Sequence, residues 1–123
     1  FKNESGKYIN DTFDHEQNLI IKDSGKNILV SGCSHCGIIN ILDTAESILG
    51  ENIDIVIGGL HLFNPSTKKI ENIDVINAIA DNLSKRNCKF YTCHCTGIEP
   101  FKLLKNSIGE KIESLSTGQV LSL

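Results

Sequence analysis

Asn27-Ile-Leu-Val-Ser31-Gly-Cys-Ser-His35-Cys-Gly37-Ile-Ile-Asn40 holds, in one stretch, a strand, a turn carrying a histidine, and the start of a helix. Asn27 to Ser31 is a short apolar run of the kind that extends within a sheet. Gly32 and Gly37 bracket the histidine and permit a tight turn with close backbone approach. From Ile38 the apolar positions become 38, 41, 42, 45, 48 and 49, one face of a helix that Gly50 stops. The same unit comes twice more. Ile53 to Gly58 is a near-continuous β-branched run, as expected of a strand covered on both faces. His61 follows it, and Ile73, Ile76, Ile79, Ala80 and Leu83 form a second helical stripe ending near Asn87. Lys89-Phe-Tyr-Thr92 is a third strand, Cys93-His94-Cys95-Thr-Gly97 its turn, and Phe101, Leu104 and Ile108 the inner face of a third helix. Strands alternating with helices predict an α/β layer architecture.

Working outward, Leu19 to Lys22 and Asn27 to Ser31 flank Asp23-Ser-Gly-Lys26, which predicts a hairpin with Gly25 at positive φ. Thr96 and Glu99 predict a capping box at the third helix, with Pro100 in its first turn. Two short strands, Lys111 to Leu115 and Gln119 to Leu123, are expected around Thr117-Gly118. The predicted order is β-β-α-β-α-β-α-β-β. Residues 1–123 read as one domain, with Phe1 to Thr12 a polar, aperiodic leading segment that needs a partner to order it.

Twelve Lys and Arg against fifteen Asp and Glu give a net charge of −3. That even, mildly acidic balance offers no attraction for nucleic acid or an anionic membrane surface. The apolar runs are too short to span a bilayer, and Phe1 begins no secretory leader, so a cytoplasmic chain is expected. There is no Met at all, so translation is expected to begin upstream of Phe1. Five cysteines, an odd number in such a chain, do not read as a disulfide framework.

His35, His61 and His94 each follow a strand, where side chains of an α/β sheet converge on a crevice. One such histidine is more often a hydrogen-bonded turn residue. Three in equivalent places make a candidate set of metal ligands, since neutral imidazole suits zinc, manganese or iron and a firm site needs three or more donors. His61 is alternatively a substrate contact or a support for a ligand. His15 reads as a polar structural residue, and Glu16 and Gln17 as residues that orient a turn at the edge of the site.

The cysteines carry rival readings. Cys33-Ser-His-Cys36 is a Cys-x-x-Cys at a helix start, the layout of a thiol redox module. Cys33, Cys36, Cys93 and Cys95 could instead hold a structural zinc, although Cys-x-Cys spacing is unusual there. The plainer reading, preferred here, is that these are small apolar residues lining the turns. No Gly-x-Ser-x-Gly nucleophile motif and no glycine-rich phosphate loop is present.

Taken in order, Ser31-Gly-Cys-Ser-His35-Cys-Gly-Ile-Ile-Asn40, Ile57-Gly-Gly-Leu-His-Leu62 and Cys93-His-Cys-Thr-Gly97 resemble the C-terminal half of metallo-β-lactamase-fold proteins. The nearest likeness is to the dihydropterin-synthase-like branch, where an Asp-Glu-Gln precedes the hairpin as Asp14-His-Glu-Gln17 does here. The resemblance implies half of a four-layer αββα sandwich with one or two divalent ions, zinc foremost, at the edge between its halves. It implies His35 and His94 as ligands and places His61 near where many members have a bridging Asp. The His-x-His-x-Asp-His signature of the other half is absent, so the chain is expected to be a fragment, inactive alone. For the intact protein it implies a metal-dependent hydrolase acting on an ester or phosphoester of a small molecule. A half-sandwich leaves one sheet face bare, so the chain is expected to form a homodimer or to pair with its missing N-terminal half. A non-catalytic metal-binding or assembly domain is the third alternative.

Overall fold

The computed structural model describes Gly6 and residues 10–122, so most of the predicted leading segment lies outside the described residues. A hairpin of β1 (Asn18–Asp23) and β2 (Lys26–Ser31) begins the sheet, with Gly25 at φ 78° in its turn. Then follow α1 (Ile38–Leu49), β3 (Ile55–Gly58), the two-residue strands β4 (Phe63–Asn64) and β5 (Lys69–Ile70), and α2 (Ile73–Ser84). β6 (Lys89–Thr92), α3 (Ile98–Ile108) and β7 (Ile112–Ser114) complete the order.

Five strands form one sheet in the order β1-β2-β3-β6-β7. β1 runs antiparallel to β2, and β2, β3, β6 and β7 are mutually parallel. Each crossover through α1, α2 or α3 steps one strand onward in the same direction. Right-handed crossovers that never reverse direction put every helix on the same face. The core agrees: Leu29, Val56, Phe90 and Ile112, which share one face of the sheet, cluster with Ile41 and Leu42 of α1, Ile76 and Leu83 of α2, and Leu104 of α3.

The opposite face carries no helix among the described residues. Register places Leu19 beside Val30, Ile21 beside Ile28, Val30 beside Ile57, and Ile57 beside Tyr91 on that side. Leu19 is 57% exposed and Ile21 40%. Ile28 and Ile55, in the middle of the row, are nonetheless buried, and Ser122 near the C-terminus lines a hollow there with Ile55 and Tyr91. Parallel sheets are ordinarily covered on both faces. The bare apolar face is what the half-sandwich reading anticipates.

Several local expectations are corrected. Gln119–Ser122 forms no strand: a turn from the Gln119 N–H to the Ser116 carbonyl (3.1 Å) closes the segment, and Val120 is 87% exposed with no strand to pair with. The β4–β5 hairpin, not foreseen, is turned by Asn64, whose Oδ1 accepts from the N–H groups of Ser66 and Thr67. Ile48, expected on the inner face of α1, is 74% exposed above the groove between α1 and β1. Gly97, not Thr96, caps α3, and Thr96 is buried with other bonds to make.

Candidate metal centre

The loops after β2, β3 and β6 meet at the carboxyl ends of the strands, held together by backbone and sulfur contacts. The Gly59 N–H donates to the Gly32 carbonyl at 2.8 Å, joining the first two. The His61 N–H donates to Cys95 Sγ at 3.3 Å, and that thiol lies 3.6 Å from the Cys33 carbonyl, joining all three. A Cβ on Gly59 would stand 2.5 Å from Cys95 Sγ, so only glycine lets the second loop lie this close.

Thr96 supplies the buried polar link. Its Oγ1 accepts from the Leu60 N–H at 3.0 Å and shares a short hydrogen bond with Thr92 Oγ1. The sequence pattern of a capping box is overridden because the hydroxyl is needed across the site, not at its own helix start. Thr96→Val keeps the shape and strands the Leu60 donor. It is expected to cost about 1–3 kcal/mol by urea denaturation; a loss under about 0.5 kcal/mol would mean that the hydroxyl carries no such burden.

Of the three candidate ligands, His35 and His61 come together, their ring centroids 4.2 Å apart and tilted by 48°. His61 and His94 both have φ 50°, a left-handed backbone unusual for histidine. Such outliers persist where the surrounding structure over-determines them, often at functional sites. His94 begins a single 3-10 turn, His94–Thr96, and lines a different hollow of about 400 Å³ with Lys102, Phe101, Ser114 and Ser116. Among the described residues, no group of three or more His, Cys, Asp or Glu side chains is arranged to hold a metal ion.

Burial, then the neighbouring His35, holds the His61 imidazole below its ordinary pKa. Two imidazoles in contact offer, in their neutral form, the donor chemistry a divalent ion takes. Their number falls short of the three that a firm site needs, so these residues fit part of a centre and not the whole.

Two residues surround the pair: Phe13, which was not foreseen, and Glu16, expected at the edge of the site. Phe13 stacks on His35, centroids 5.3 Å apart and planes within 16°. Glu16 accepts from the His35 N–H at 2.5 Å and the Cys36 N–H at 2.8 Å. Burial pushes its carboxyl up, but those N–H groups and the Cys36 thiol outweigh it and leave the pKa below the ordinary value. His15 lies at the exposed rim, its ring centroid 6.3 Å from that of Phe13 and its Nδ1 3.9 Å from Asp11.

The cysteines do not pair as the Cys-x-x-Cys spacing suggests. Cys36 is exposed and bonded to Glu16, which raises its thiol pKa, the opposite of what an attacking thiol needs. Cys33 neighbours Cys95 and Cys93 instead; burial pushes Cys95 up to about 11 and Cys93 in the same direction. Cys33, Cys93 and Cys95 lie between the loops and partly buried, as small packing residues do, whereas exposed Cys36 does not fit that reading.

No family profile matches the chain. It is 32% identical over 122 residues to the 7,8-dihydropterin-6-methyl-4-(β-D-ribofuranosyl)-aminobenzene-5′-phosphate synthase of Methanocaldococcus jannaschii, covering 98% of this chain and 40% of that enzyme. An uncharacterised protein of the same organism is 32% identical over 94 residues, 76% of this chain and 32% of its own length. The crystal structure of a metal-dependent hydrolase of the β-lactamase superfamily superposes with a TM-score of 0.83 at 29% identity, over 98% of this chain and 45% of that one. The chain thus spans less than half the length of each of these relatives. No described helix is long and apolar enough to cross a membrane.

Proposed function

The chain belongs to the metallo-β-lactamase superfamily, and from that premise we propose that it is the C-terminal half of a metal-dependent hydrolase acting on an ester or phosphoester of a small molecule. The contact between His35 and His61 at the carboxyl ends of β2 and β3 carries this reading. His35 is a ligand in it, and His94, on the loop after β6, is a second. His61 either completes the set or meets substrate. The donors this chain lacks come from the half of the fold that pairs with its bare sheet face. In the isolated chain a second copy takes that place.

His35 and His94, with His61, would hold a divalent ion, zinc before manganese or iron, and that ion would supply Lewis acidity. The chain's own work is positional. The glycine contacts bring two imidazoles together, burial favours the neutral form of His61, and Phe13 shields one side of His35. The synthase among the relatives makes, by its name, a phosphate-bearing dihydropterin compound. A planar, phosphorylated substrate is therefore the first class to try. The polar, acidic chain is assigned to the cytoplasm on the same footing.

Metal content by mass spectrometry, on protein purified without chelator, tests the reading. Bound ion is expected in the wild type, falling at least about 10-fold in His35→Ala. Equal metal in both would remove His35 from the site and the proposal with it.

A further inference from the structure

The loop that presents His35 is held from outside by a segment that contributes no ligand. Ser34 sits at φ 56° and the Gly37 N–H returns to its carbonyl at 2.9 Å, so the turn aims the N–H groups of His35 and Cys36 outward together. Consecutive N–H groups set this way form a concave anion seat. The Glu16 carboxylate fills it, one oxygen to each donor. Charge-assisted bonds of this kind are among the stronger ones in a protein.

The segment bearing Glu16 is itself tightly turned. Asp11 Oδ1 accepts from the Phe13 N–H at 2.9 Å, Thr12 donates to Asp14 at 2.8 Å, and the Glu16 N–H returns to the Phe13 carbonyl at 2.8 Å. Phe13 is forced to φ 57°, and its ring then lies flat on His35. His35 is thus gripped twice from one segment, at its backbone by Glu16 and at its ring by Phe13. The same ring meets His61.

We propose that Glu16 is a positioning residue: with Phe13 stacked behind, it fixes the His35 loop so that the imidazole stays against His61 and ready to take a metal ion. The ion in this statement rests on the function proposed above; the ring geometry does not. Glu16→Gln keeps the size and one acceptor oxygen but loses the charge and the second acceptor, so one N–H loses its partner. The His35 ring then gains freedom while the core, which Glu16 does not touch, stays as it was.

Two readouts on the full chain test this. The first is the nuclear Overhauser contact between the His35 and His61 ring protons in metal-free protein. It is expected to be clear in the wild type and to weaken in Glu16→Gln, with amide shifts of β3, β6 and α2 unchanged. The second is Co(II) affinity by calorimetry, expected to fall about 10- to 100-fold in Glu16→Gln, as for other residues that orient ligands. Phe13→Leu, which keeps bulk without the flat ring, is expected to lie between the two.

Unchanged ring contacts in both Glu16→Gln and Glu16→Ala would overturn the proposal. So would a loss of Co(II) affinity no greater than that of Ser66→Ala, a control on the distant hairpin tip. If the wild type binds no Co(II), the metal reading fails, and the ring contact alone decides the part of Glu16.

Discussion

Gly58→Ala is expected to destabilise the chain by about 3 kcal/mol, near the top of the range for overpacking a close-packed site. A Cβ at Gly58 would stand 2.6 Å from the Ser31 carbonyl oxygen and 3.1 Å from both the Ser31 carbonyl carbon and its Cβ. No side-chain rotation relieves a clash with backbone. The only escape is to spread β2 from β3 at their carboxyl ends, where the loops to His35 and His61 leave the sheet.

Gly32→Ala is the matched control: its Cβ would meet nothing within 4 Å, and it should stay within about 0.5 kcal/mol of wild type. Urea denaturation of both measures the difference. A Gly58→Ala chain as stable as the control would show that the sheet yields there at no cost. Because the spreading also separates the histidine loops, any Gly58→Ala protein that remains folded is expected to lose the contact between the His35 and His61 rings. The close approach that glycine permits is what ties sheet stability to the site.

The reach of sequence reading ends where contacts become long-range. Strand, histidine and helix alternate within short windows, so the parallel sheet and all three histidine loops could be read from periodicity and glycine placement. Alternation alone could not say that every crossover steps the same way, which leaves one face bare; the family resemblance carried that expectation. The capping pattern at Thr96 was local and genuine as a pattern, yet the hydroxyl serves Leu60, 36 positions away. Asp14-His-Glu-Gln17 marked the edge of the site, but the grip of Glu16 on His35 depends on a left-handed Phe13 and Ser34, both residues that sequence statistics place elsewhere. The two-residue strands β4 and β5 did carry a signal, an Asn-Pro turn at Asn64-Pro65, which a search for Asx turns would have found.

Ile57→Glu is expected to abolish self-association of the isolated chain while leaving its own fold intact. Ile57 lies in the middle strands of the bare face, between Val30 and Tyr91, and is only partly buried. In the lone chain a carboxylate there reaches water. Against an apolar partner sheet it would be buried without a counter-charge, at about 3–5 kcal/mol, the cost of leaving a buried charge unpaired. That is a weakening of more than about 100-fold. Sedimentation velocity should find wild type as a dimer and Ile57→Glu as a monomer with an unchanged thermal melt. Ile48→Glu supplies the contrast, since Ile48 is more exposed, at 74%, but lies on the helix side. It should leave the dimer alone. A wild-type monomer at high concentration would show that the bare face tolerates water, and dimers of Ile57→Glu would place the interface elsewhere. If both expectations hold, the face that binds a second copy is the one on which the remainder of the metal site must be brought.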